Sequence, residues 1–166
     1  NAHIVGASMG GMIAQVVAAQ YPQRIRSLVS IMSTTGSPQL PPPSPEASGA
    51  LLGVSTDNGA AAERREAMVA RGFYPQSMGR QMMAVFKTGD RSDAVATITA
   101  PTLVVHGAED TLLPPQHGAH TAQLIGGSEL VVYDSMGHNI PDEVLPKLLQ
   151  KMTLHMQKAD TAAMSR

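Results

Sequence analysis

His3-Ile4-Val5-Gly6-Ala7-Ser8-Met9-Gly10-Gly11-Met12-Ile13 is the stretch on which the fold turns. His3 to Ala7 is a short apolar run and reads as a strand. From Met9 to Gln20 the apolar residues Met9, Met12, Ile13, Val16 and Val17 recur at helical spacing. At the junction, Gly6-Ala7-Ser8-Met9-Gly10 has the pattern G-x-S-x-G. A serine on so sharp a turn sits in a strained backbone conformation, with its hydroxyl above the sheet. Gly6 and Gly10 carry no side chains, which is expected to let strand and helix approach closely. The N–H of Met9 then heads a helix, where backbone donors and the dipole stabilise an oxyanion. Two competing readings are a serine that merely caps the helix and a glycine-rich phosphate turn. The second fails on pattern. Gly6-x-x-x-Gly10-Gly11 is not G-x-G-x-x-G, and the next strand ends Ser33-Thr34-Thr35 with no carboxylate for a ribose.

Outward from this stretch the chain alternates. Tyr21-Pro22 closes the first helix, because the residue before proline is pushed out of the helical region. Arg24 to Met32 reads as a buried strand, so strand, helix and strand form a parallel βαβ unit. Ser33 to Gly53 holds Pro38, Pro41-Pro42-Pro43 and Pro45 and is expected to be neither helix nor inner strand. Helices are predicted from Asp57 to Arg71 and from Ser77 to Lys87, the second carrying Met78, Met82, Met83 and Phe86. Alternation resumes after Pro101 with a strand at Thr102 to His106, a helix at Pro114 to Ile125 and a strand at Glu129 to Tyr133. Ser135 to Ile140 reads as a loop. A last helix runs from about Glu143 to Lys158, with Val144, Leu145, Leu148, Leu149, Met152 and Met156 on its apolar face. Asp142 and Glu143 suit its start, as the helix dipole prefers. The class is α/β, a parallel sheet of about four strands with flanking helices. Residues 1–32 and 96–166 form the core and 33–95 an insertion.

Composition narrows the function. The 166 residues are 43% hydrophobic and 15% charged, which excludes a disordered polyelectrolyte. Lys plus Arg number 12 against 13 Asp plus Glu, so no basic excess exists to hold a nucleic acid. No apolar run is long enough to span a bilayer. With no cysteine there is no thiolate nucleophile and no thiolate metal site, and a reducing, cytoplasmic setting is expected. Aromatics are only 3% and methionines number 11, so Ala, Val, Leu, Ile and Met must fill the core. The first residue is Asn1 and strand-like residues follow at once, which suggests the C-terminal part of a longer protein.

A serine hydroxyl needs a base to act as a nucleophile. Of six histidines, His138 lies in a loop just after the strand ending at Tyr133, and Gly137 before it frees the loop. His3 and His106 lie inside strands and read as core residues. His117, His120 and His155 read as solvated helix surface. The acid that orients the base should follow another strand. Asp110 does so, through Gly107-Ala108-Glu109. Glu109 is its rival, but adjacent side chains point apart, so only one can face the site. Asp90, Asp93 and Asp134 read as turn residues. Ser8, Asp110, His138 is the Ser…Asp…His chain order.

Three segments carry a resemblance: His3 to Gly11, Pro101-Thr102-Leu103-Val104-Val105-His106-Gly107-Ala108-Glu109-Asp110, and Met136-Gly137-His138-Asn139. They resemble the α/β-hydrolase superfamily, in the branch of proline iminopeptidases and aclacinomycin methylesterases. The resemblance is weakest from about 37 to 75. It implies Ser8 as nucleophile, Asp110 as acid and His138 as base. It also implies that 33–95 is a helical cap, and that neither metal nor organic cofactor is needed. Members of this family have strands before the nucleophile strand, and a loop there supplies a second oxyanion N–H. Those segments are not in this sequence. The edge of the first strand is therefore expected to lack its neighbour, and the isolated chain to be weak or inactive.

The leading function is hydrolysis of a small-molecule carboxylic ester by a serine hydrolase. The Met-rich cap helix suits an apolar acyl or alcohol group, or ordinary packing. A proline-iminopeptidase-like aminopeptidase is the alternative. It would need cap carboxylates for a free amine, and Glu46, Asp57, Glu63 and Glu66 are the candidates. A lyase or C–C bond hydrolase using the same three residues also stands. A metal site of His106, Asp110, His117 and His120 matches no known spacing. The remaining reading is an inactive fragment.

Overall fold

Four parallel strands, β1 (Ala2–Ala7), β2 (Ile25–Ile31), β3 (Thr102–Gly107) and β4 (Glu129–Tyr133), pair in chain order in a computed structural model. The structure describes residues 1–51, 66–67, 69–72, 74 and 77–164. Every residue of β3 is buried, as expected of an inner parallel strand covered on both faces. β1 and β4 lie at the edges of the described sheet and are partly exposed; Val5 is 44% accessible.

Helix α1 (Met9–Gln20) returns the chain from β1 to β2. A single 3-10 turn, Pro22–Arg24, follows it. Helices α2 (Pro45–Leu51) and α3 (Ser77–Thr88) come next, then α4 (Ser92–Ala96), α5 (Gln116–Leu124) and α6 (Leu145–Met164). Alternation along the strands divides the core into two layers. On one side Val29, Ile31, Leu103 and Val105 pack with Met136, Val144 and Leu148, beneath α6. On the other, Leu28 packs with Ala14, Ala18, Val95, Ile98 and Ile125, beneath α1 and α4. Both layers are aliphatic, so Leu, Val, Ile and Met fill the space that rings occupy elsewhere.

The chain divides into two compact units. Asn1–Pro43 with Asp90–Arg166 forms the first, and Ser44–Gly89 the second. Residues 33–43 and 90–95, read within the insertion, thus belong to the unit of the sheet. Two threads tie them there: Arg91 N–H donates to Thr35 O at 2.8 Å, and the Arg91 guanidinium donates to Thr34 O at 3.0 Å.

Several elements differ from their sequence reading. Ser33 to Gly53 is not free of helix: α2 opens at Pro45, and Ser44 Oγ accepts the Ala47 N–H at 3.1 Å. Proline is favoured at a first helical position, where its missing N–H costs nothing. The last helix begins at Leu145, not Glu143, and runs on to Met164. Pro146 is tolerated only in the first turn, which fixes that start. Asp142 and Glu143 therefore fall in the preceding turn, where Val144 and Leu145 both donate to Pro141 O at 3.0 Å. The helix predicted over 57–71 lies mostly outside the described residues; 66, 67, 69 and 70 are helical. α3 covers the predicted Ser77–Lys87 helix and buries none of its own residues. Among the described residues no helix is long and apolar enough to cross a membrane.

Candidate active site

Ser8 stands between β1 and α1 with φ 53° and ψ −122°. A positive φ at a non-glycine residue stores strain, and here the surroundings enforce it. Ser8 N–H donates to Ile31 O at 2.9 Å, while Ser8 O accepts from Gly11 N–H and from Ser33 Oγ, each at 2.9 Å. The hydroxyl makes no capping bond to the helix. Gly6 permits the turn, since a β-carbon there would lie 2.1 Å from Gly10 O. Gly10 itself does not share that role: a β-carbon on it would meet nothing within 4 Å. The second close approach is at Gly11, whose β-carbon would lie 2.6 Å from Ser33 Cβ. Met9 is the first residue of α1, so its N–H heads the helix.

Asp110 follows β3 and is buried, whereas the adjacent Glu109 is exposed. Asp110 Oδ1 accepts the N–H groups of Leu112 at 3.0 Å and Leu113 at 2.8 Å. Its Oδ2 accepts His138 Nδ1–H at 2.7 Å. With Nδ1 donating, His138 Nε2 is left to accept the Ser8 hydroxyl, at 2.8 Å. The structure thus brings Ser8, His138 and Asp110 into one hydrogen-bonded row. Burial alone would raise the Asp110 pKa. The neighbouring His106 ring, the hydrogen bonds from His138 and the Leu113 N–H, and the attraction of His138 override it and hold the carboxylate well below its usual range.

Gly107 was not singled out in the sequence, yet it joins the two loops of this row. A β-carbon there would lie 2.0 Å from Met136 O, and Glu109 N–H donates to the same carbonyl at 3.0 Å. A glycine closing a strand three residues before a candidate acid was the available signal.

A second serine–histidine–aspartate trio lies elsewhere. His3 Nδ1 is 2.8 Å from Ser27 Oγ, and His3 Nε2 is 3.3 Å from Asp160 Oδ1. Ser27 is 0% exposed, so no substrate reaches its hydroxyl. The trio ties α6 to β1 and β2.

The helix histidines are not solvated surface. His117 is buried, with Nδ1 2.7 Å from Thr34 Oγ1 and Nε2 2.9 Å from Pro41 O. Burial, the largest influence, lowers its pKa. His120 Nδ1 lies 3.1 Å from Thr35 Oγ1. His155 is half-buried, and burial lowers its pKa as well. Among the described residues no group of three or more His, Cys, Asp or Glu side chains is arranged to hold a metal ion.

A parallel sheet in this order, with a strained serine at the first strand-to-helix turn, matches part of the α/β-hydrolase fold. The profile of the family described as "alpha/beta hydrolase fold" matches residues 1–52. The 2-hydroxymuconate semialdehyde hydrolase of Pseudomonas sp. (strain CF600) is 28% identical over 189 residues, covering 99% of this chain and 65% of its own. The rhodomycin D methylesterase of Streptomyces sp. (strain C5) is 24% identical, covering 95% of this chain and 67% of its own. A meta-cleavage product hydrolase from Pseudomonas fluorescens IP01 matches in structure with a TM-score of 0.73 at 21% identity, over 96% of this chain and 65% of that one. The chain spans 55% of the length of another relative, the 2-hydroxy-6-oxononadienedioate/2-hydroxy-6-oxononatrienedioate hydrolase of Cupriavidus pinatubonensis, which is 28% identical.

Proposed function

We propose that the protein is a serine hydrolase that cleaves a small-molecule carboxylic ester through an acyl-enzyme, with Ser8 as nucleophile, His138 as base and Asp110 as the orienting acid. The observation that carries this reading is the row itself: Ser8 Oγ at 2.8 Å from His138 Nε2, and His138 Nδ1 at 2.7 Å from Asp110 Oδ2, on a serine with positive φ. As Ser8 Oγ bonds to the acyl carbon, its proton passes to His138 Nε2. Asp110 keeps the ring in the required tautomer and stabilises the imidazolium. The tetrahedral oxyanion is held in part by the Met9 N–H at the head of α1. Collapse expels the alcohol, which takes the proton from His138. Water then repeats the sequence on the acyl-enzyme and frees the acid. No step calls for a cofactor.

Reaction with a fluorophosphonate probe tests this. The expected result is one adduct, mapped to Ser8 by peptide mass and absent from Ser8→Ala. A folded protein that takes no label, or takes it elsewhere, overturns the reading.

The meta-cleavage and 2-hydroxymuconate semialdehyde hydrolases among the similar proteins support a second reading, in which the same row acts on a dienoic ketone or aldehyde. Turnover of a p-nitrophenyl ester against 2-hydroxymuconate semialdehyde separates the two, and a proline arylamide tests the aminopeptidase alternative.

A further inference from the structure

His106 is the fifth residue of β3 and is 0% exposed. Leu103 and Val105 pack into the layer beneath α6, so strand alternation sends His106 to the opposite face, with Thr102 and Val104. There α5 presses on the ring. Gly118 faces it so closely that a β-carbon would stand 2.6 Å from His106 Nδ1.

The other ring nitrogen points at the acid turn. His106 Nε2 lies 2.7 Å from Leu113 O and 3.5 Å from Asp110 Oδ2. A carbonyl oxygen only accepts, so the proton sits on Nε2 and is donated to Leu113. Nδ1 is buried with no hydrogen-bond partner among the described residues, which suits the unprotonated nitrogen of a neutral ring. Leu113 closes the loop of contacts: its own N–H donates to Asp110 Oδ1 at 2.8 Å. One ring therefore holds the residue that holds one carboxylate oxygen, and stands beside the other oxygen, the one that accepts from His138.

We infer that His106 is a positioning residue: it fixes the Asp110–Leu113 turn through the Leu113 carbonyl, so that Asp110 Oδ2 is aimed at His138 Nδ1. This rests on the row Ser8–His138–Asp110 being the working site. His106 touches neither Ser8 nor a substrate. Its effect passes through Asp110 alone.

His106→Leu keeps the bulk and removes the donor. His106→Gln keeps a donor near the place of Nε2. Gly118→Ala leaves the ring intact and pushes on it from α5. Two readouts are taken on the protein: the rate constant for fluorophosphonate labelling of Ser8, and the far-downfield proton resonance of His138 Nδ1–H. His106→Leu is expected to slow labelling by on the order of ten- to a hundredfold, as misaligned catalytic groups do. The His138 resonance should move upfield with it. His106→Gln should recover labelling to within about threefold of the parent. Gly118→Ala should fall between the two. An unmoved resonance and undiminished labelling in His106→Leu overturn the inference. So does an equal loss in the Leu and Gln variants that tracks melting temperature, since the ring would then only fill space. If the resonance moves as expected but Ser8 takes no probe in any variant, the hydrolase reading fails and the positioning role stands. If the parent has no such resonance, both fall.

Discussion

Gly107 and Met136 are packed backbone to backbone, with no room between them: a β-carbon on Gly107 would lie 2.0 Å from the Met136 carbonyl oxygen. That approach joins the loop bearing Asp110 to the loop bearing His138. Gly107→Ala must push the two loops apart. Overpacking of this kind costs about 1–3 kcal/mol, and a displacement near 1 Å at a catalytic pair costs roughly a hundredfold in rate. The expected outcome is a lower melting temperature together with a slower Ser8 labelling rate per folded molecule. Unchanged labelling would mean that the loops keep their register by other means.

The glycines around Ser8 should separate by experiment. Gly6→Ala and Gly11→Ala drive a β-carbon into Gly10 O and Ser33 respectively and should be severely destabilising. Gly10→Ala meets nothing within 4 Å and lies in the helix α1, so it should hold or raise stability, by up to about 1 kcal/mol from helix propensity. Chemical denaturation of the three variants gives the order. A Gly10→Ala protein as unstable as Gly6→Ala would contradict the geometry.

The two serine–histidine–aspartate trios make opposite predictions. Ser27→Ala removes a buried hydroxyl bonded to His3 and should cost about 1 kcal/mol of stability. Its fluorophosphonate labelling should be unchanged. Loss of labelling in Ser27→Ala with Ser8 intact would shift attention to the wrong end of the sheet.

Burial holds His117 neutral, with its pKa below the ordinary 6.5. A histidine depressed in the folded state contributes stability that is fully present above the unfolded pKa and lost as pH falls below it. Folding free energy should therefore decline as pH drops from about 6.5, where the unfolded chain takes up the proton first. His117→Gln should flatten part of that decline. His155, lowered for the same reason, keeps its own share. Identical pH slopes for the parent and His117→Gln would refute the assignment.

Asp110 works in the same direction but at lower pH. Its carboxylate lies well below the usual range, because its hydrogen bonds outweigh its burial. Its contribution is complete above the ordinary value of 3.8 and fades as pH falls through the depressed folded value. The stability difference between the parent and Asp110→Asn should thus shrink on acidification below about 4. Urea melts at stepped pH measure it.

The sequence by itself determined the alternation of strands and helices, the turn that strains Ser8, and the short set of loop residues from which an acid and a base could come. These are local properties. Periodicity, a glycine beside a serine, and a proline that ends or opens a helix all act within a few residues. Only the tertiary structure decided that Asp110 turns inward and Glu109 outward, because that depends on Leu112, Leu113 and Met136 meeting the same turn. The same holds for Gly10 facing open space while Gly11 bears the close approach, and for His117 and His120 bonding to Thr34 and Thr35 more than eighty positions away. Burial of a polar ring is stable only when a partner arrives from elsewhere in the chain, and no periodicity records where that partner lies.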